Sequence, residues 1–250
     1  MWLEGVYMHF KAGKRLGVAA AVGRRFWMFT LVLTAVILGS MGTASGQPPR
    51  PVNSEMLIRA IRSRDVAGVK QALNSVTDLN LGDRYGHTPL GEAILYRLPD
   101  VALELIRRGA DVNLTPGAIS APLTVAAEIC SEDSVRYLLE RGAKVNAKDP
   151  GGHTALLTAS AFCKEGKVVQ ILLKAGADPN TSDDEGGSTP LIAAAQSGNV
   201  GVVEALIAAG ADVDAMNKYG ETAFSIARDW PFQTEDYVRI CVLLLKADRK

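Results

Sequence analysis

Apolar positions between residues 54 and 250 come in short paired blocks. In one kind of block they lie on a single helical face: Val101, Leu105 and Ile106; Val135, Leu138 and Leu139; Val169, Leu172 and Leu173; Val203, Leu206 and Ile207. Apolar residues spaced three and four apart predict amphipathic helices. The other kind begins with Leu and continues with small residues: Ala93; Ala126 and Ala127; Ala159; Ala193 and Ala194; Ala227. These predict short first helices that pack closely on their neighbours. Each first helix opens on a phrase such as Thr88-Pro89-Leu90 or Thr189-Pro190-Leu191. The Thr hydroxyl can accept from a free N–H of the first turn, and Pro at the first helical position lacks only a donor that would have no partner there.

The second helices end on a recurring phrase: RRGADVN (107–113), ERGAKVN (140–146), KAGADPN (174–180) and AAGADVD (208–214). Its glycines, Gly109, Gly142, Gly176 and Gly210, recur at a nearly constant interval. They fall just past a helix end, where a left-handed backbone is needed, and the Asp or Asn nearby suits the turn that follows. The phrases that begin at Thr88, Ala121, Thr154, Thr189 and Thr222 keep step at the same interval. Two motifs in phase make one unit, of two helices and a hairpin-like loop, repeated.

A period of about 33 residues with a Thr-Pro-Leu opening resembles the ankyrin repeat. The resemblance implies an all-α solenoid of helix-turn-helix units joined by hairpin-like loops, with one degenerate first repeat and about five recognisable ones. Repeats are expected near 54–81, 82–115, 116–148, 149–182, 183–216 and 217–250, after a linker at 47–53. The His that follows Thr-Pro-Leu in the family is replaced here by Gly91, Thr124, Leu157, Ile192 and Ser225. That puts the hydrogen bonds that usually tie neighbouring loops in question, but not the fold. The first unit, with SEMLIRAIR and DVAGVKQAL, and the last, which finishes in charge at LLLKADRK, are expected to close the stack with polar caps.

The N-terminus follows a different logic. A basic segment ending in Arg24-Arg25 runs into the apolar stretch Phe26 to Leu38, then GSMGTASG and QPPRP. This is the order of a secretory signal, so residues 1–46 are read as a signal peptide and left out of the fold. The long basic region leaves the general secretory route and the twin-arginine route both open, as well as a start at Met8. The uncharged run from Phe26 to Gly46 also leaves open an uncleaved anchor. Either way the repeats are expected outside the cytoplasm, periplasmic or secreted.

The charge balance then excludes one class of partner. The chain of 250 residues carries 27 basic and 27 acidic side chains, and without residues 1–46 it holds 22 against 26. A net charge of −4 argues against nucleic-acid binding. The membrane is expected to be met only through an uncleaved N-terminal segment.

Candidate chemistry is sparse. His87 and His153 precede the first helices of repeats separated by one other, about 20 Å apart at 8–10 Å per packed helix, too far to share a metal. No catalytic motif appears, and no cofactor, metal or activity is expected. The run Asp183-Asp184-Glu185-Gly186-Gly187 lacks the spacing of a calcium loop. It reads as a solvated turn. Cys130 and Cys163 occupy equivalent places in successive repeats. They are either a disulfide of an oxidising compartment or, as the usual length of a repeat step favours, two small buried residues, since a bridge needs Cα atoms within about 7 Å. Cys241 lies in the final helix pattern and reads as core.

The resemblance implies a non-catalytic scaffold that binds a protein partner, as a monomer, through its concave face and loop tips. Carried onto this chain, the tips give Arg84, Tyr85, His87, His153, Glu185, Lys218 and Tyr219, and the first helices give Tyr96, Ile129, Phe162, Gln196 and Trp230. Aromatic residues and Arg commonly anchor interfaces, and Tyr85 and Tyr219 are the foremost exposed anchors. Alternative readings are an accessory or chaperone-like subunit of an exported enzyme, in redox or stress defence through Cys130 and Cys163, an enzyme of unrecognised type, and a membrane-tethered scaffold.

Overall fold

A computed structural model describes residues 52–115, 120–231 and 234–248. The signal or anchor expected at 1–46 lies outside the described residues. Residues 51–250 form a compact unit whose core runs from Leu57 to Leu244. Among the described residues every regular element is helical, and no helix is long and apolar enough to cross a membrane.

Among the described residues, twelve helices fall into six pairs. They are α1 (Val52–Arg62) with α2 (Val66–Leu73), α3 (Pro89–Leu95) with α4 (Pro99–Arg107), and α5 (Pro122–Glu128) with α6 (Glu132–Glu140). Then come α7 (Ala155–Phe162) with α8 (Lys167–Lys174), α9 (Pro190–Gln196) with α10 (Val200–Ala208), and α11 (Ala223–Arg228) with α12 (Glu235–Ala247). The first helices α1, α3, α5, α7, α9 and α11 pack in succession, and each lies against its own second helix. The fold is the all-α solenoid of helix-turn-helix units expected from the period.

The sequence signals act where the pattern places them. Thr88, Thr154, Thr189 and Thr222 cap α3, α7, α9 and α11 by accepting from the third N–H of each helix, and Asp65, Ser131 and Asn199 do the same for α2, α6 and α10. Ala121 has no such side chain, and α5 starts without the bond. Ala93, Ala126, Ala127, Ala159, Ala194 and Ala227 are fully buried, which lets the first helices approach closely. Gly109, Gly142, Gly176 and Gly210 have φ between 84° and 96°, with no atom within 4 Å of an added Cβ. Backbone conformation alone therefore requires glycine there.

The C-terminal cap departs from expectation. Charge ends the sequence, yet α12 leaves Val238, Val242 and Leu245 exposed. Helix periodicity puts these three on a face turned away from the buried Tyr237, Ile240 and Leu244.

Candidate functional site: a pinned row of loop tips

The loops between repeats are held by two ladders of short polar side chains. In the first, one side-chain oxygen closes each tip. Asp83 Oδ1 accepts from the N–H groups of Tyr85 and His87 at 2.9 and 3.0 Å. Asp149 Oδ1 accepts from Gly151 and His153, Asp183 Oδ1 from Gly186 and Gly187, and Asn217 Oδ1 from Tyr219 and Glu221.

The second ladder runs between repeats. Asn80, Asn113, Asn146 and Asn180 each accept, at 2.7 to 2.9 Å, the N–H of Asp111, Lys144, Asp178 and Asp212 respectively in the next repeat. Three of them also donate forward from Nδ2: Asn113 to the Gly142 carbonyl, Asn146 to Gly176 and Asn180 to Gly210. The helix-ending glycine thus leaves its carbonyl free for the preceding Asn. Neighbouring tips are also joined by backbone, with Asp184 N–H donating to Gly151 O at 3.0 Å and Lys218 N–H to Gly186 O at 2.8 Å. The loops are tied together although the usual His is missing.

Onto this frame the tip residues project. Tyr85 is 52% and Tyr219 71% exposed. The Arg84 guanidinium lies 4.8 Å from the Tyr85 ring centre, and His87 meets that ring edge-on at 6.0 Å. The Nδ1 atoms of His87 and His153 sit 3.1 Å from Asp83 and Asp149 of their own loops, so both histidines orient a turn. Lys218 reaches the Asp184 carbonyl, and donates to the Glu185 carbonyl at 2.9 Å. Lys148 donates to the Ser182 carbonyl and pairs with Asp184.

The first helices contribute less exposed area than expected. Phe162 is exposed, but Tyr96 and Gln196 are half-buried, and Ile129 and Trp230 pack partly against the core. Trp230 stacks on Tyr237 at 5.3 Å, and Tyr237 donates to the Gln196 carbonyl. Trp230 therefore fills the space between α11 and α12.

Behind the first tip lies a charged knot that the sequence pattern did not reveal. Arg62 donates to both carboxylate oxygens of Glu92, at 2.9 and 3.0 Å, and to Asp83 at 2.9 Å. Glu92 and Asp83 are buried and Arg62 half-buried. Burial works against the Arg62 charge, but the bonds and charges of Glu92 and Asp83 outweigh it and raise its pKa above the ordinary value. Burial likewise works against the Asp83 charge; hydrogen bonds from the His87 side chain and N–H, the charge of His87 and the Tyr85 N–H outweigh it and hold Asp83 well below the usual carboxylate range.

Cys130 and Cys163 are bridged, with Cα atoms 5.5 Å apart. The reading of two separate buried residues is thus overturned. The ends of α5 and α7 come closer than an ordinary repeat step because the alanines between them are small, and because Cys163 leaves α7 in extended backbone. Cys130 takes φ 53° at the position where repeat 183–216 has Gly198, with φ 66°. A pocket of about 240 Å³ lies over the bridge, lined among others by Arg97, Glu132, Lys164 and Lys167. Among the described residues no group of His, Cys, Asp and Glu could hold a metal ion.

A comparison with curated proteins finds no match. The family model for ankyrin repeats in three copies matches residues 119–183 and 163–249, which together span more than half of the 250 residues. With six helix pairs at the same period, the chain belongs to the ankyrin-repeat family.

Proposed function

We propose that the protein is an exported, non-catalytic scaffold that binds a partner protein through its loop tips and the concave side of its first helices. Ankyrin repeats generally mediate protein–protein interaction, and one observation carries the reading to this surface: two exposed tyrosines, Tyr85 and Tyr219, stand on loops pinned at both levels by Asp and Asn side chains. Aromatic anchors on a rigid frame lose little entropy on binding.

The Cys130–Cys163 bridge supports the export part of the reading, because disulfides persist in oxidising compartments. The basic and apolar segments before Gln47 supply a route.

The test is affinity purification of tagged residues 47–250 from an envelope extract, beside Tyr85→Ala/Tyr219→Ala and beside a control changed at exposed Glu204 on α10. A stoichiometric protein retained by the control and lost by the double variant is the expected result. A partner lost only by the Glu204 variant would move the binding surface to the second helices.

A further inference from the structure

The face of α12 turned away from the core is not wholly polar. Tyr237, Ile240 and Leu244 are buried in the core, α12 packing on α11 and α10. Val238, Val242 and Leu245 remain 53, 45 and 45% exposed. Their spacing of four and three residues makes one continuous stripe.

We propose that this stripe is the interface of a homodimer in which α12 lies antiparallel against α12 of a second copy, about a two-fold axis. The helix dipoles, together with Glu235 and Lys246, favour one arrangement. The first turn of α12 carries Glu235 and Asp236 and its last turn carries Lys246. An antiparallel pair sets the acidic end of each helix against the basic end of the other and opposes the helix dipoles, whereas a parallel pair sets like against like.

The stripe is also self-complementary, as a two-fold contact requires. Its centre falls between Cys241 and Val242. An axis there places Val238 opposite Leu245 of the second copy and Val242 beside its own counterpart. At 100° per residue, Glu235, Arg239 and Lys246 lie on one flank of the stripe and Cys241 on the other. A two-fold axis keeps each flank on its own side, so Glu235 comes within about one helical turn of Lys246 of the second copy, and the two Cys241 residues come side by side. At about 20 Å long, the contact is smaller than a standard interface of about 1,200–2,000 Å². The dimer is weak, dissociating on the order of tens of micromolar.

The test is sedimentation velocity on residues 47–250, which hold the core of the described residues, from about 2 to about 200 µM. Mass rising from monomer to dimer across that range is expected. Val242→Glu should raise the dissociation constant at least about tenfold with an unchanged circular dichroism spectrum. Lys246→Glu should weaken the dimer too, and adding Glu235→Lys should restore it. Cys241 is the one cysteine outside the bridge, so a short bis-maleimide should link two chains through it and fail with Cys241→Ser. A monomer across the whole range overturns the proposal and leaves the stripe to a different protein. A dimer indifferent to both Val242→Glu and Lys246→Glu overturns the interface.

Discussion

Removing the Cys130–Cys163 bridge is the perturbation whose size follows most directly from the fold. The bridge joins the ends of α5 and α7 across a sequence separation of 33. Restricting the unfolded chain over such a loop contributes about 3.7 kcal/mol, between the values for loops of about 15 and about 100 residues. For a folded stack of about 200 residues, 51–250, each kcal/mol moves the melting temperature by about 2–4 °C. Cys130→Ala/Cys163→Ala should therefore melt about 7–15 °C below the wild-type protein in a scan followed by circular dichroism. The backbone at Cys130 supplies an internal control. With φ 53°, Ala there retains a left-handed cost that Gly escapes, so Cys130→Gly should be more stable than Cys130→Ala by about 1 kcal/mol. Thiol titration after denaturation should find one free thiol per chain without reductant and three with it. Three without reductant, or a double variant melting within about 2 °C of the wild type, would refute the reasoning.

Other perturbations probe the ladders and the buried charges. Asn146→Ala removes both the acceptor for Asp178 N–H and the donor to Gly176 O, and should lower stability in urea by about 1–2 kcal/mol; Asn146→Asp, which keeps the acceptor, should lose about half of that. Gly142→Ala should cost about 1 kcal/mol in the same assay, from its φ of 85° alone, since nothing stands within 4 Å of the new Cβ. Because the folded-state pKa of Asp83 is held down, its contribution is present above the ordinary carboxylate value of about 4 and is lost as pH falls through the lower folded value. Asp83→Asn should therefore flatten the fall in melting temperature below about pH 4, and an unchanged slope would show that His87 and Tyr85 do not hold the charge.

The period and the helix pairs were legible because capping and stop signals are local. Thr154 and Gly142 act on their own turns, and the second-helix faces repeat in phase with them. The Asn ladder was partly legible: Asn80, Asn113, Asn146 and Asn180 recur once per repeat, but a turn-forming Asn and a bridging Asn look alike in sequence. Their common period was the signal that distinguishes the two. The disulfide was legible as a pair and not as a bond, since its Cα separation depends on how far buried alanines of α5 and α7 draw two repeats together. The knot of Arg62, Asp83 and Glu92 joins two successive repeats without a motif. The open face of α12 was hidden because Val238, Val242 and Leu245 alternate with the core residues Tyr237, Ile240 and Leu244, and the charged residues that follow read as a polar cap.

The most direct test of the account is equilibrium binding between purified residues 47–250 and the partner recovered by affinity purification. Tyr85→Ala/Tyr219→Ala should lose about 2 kcal/mol or more, about thirtyfold in affinity, at unchanged melting temperature, while Glu204→Ala binds like the wild type. An affinity indifferent to the two tyrosines, or lost equally in the Glu204 variant, would contradict a scaffold that binds through its loop tips.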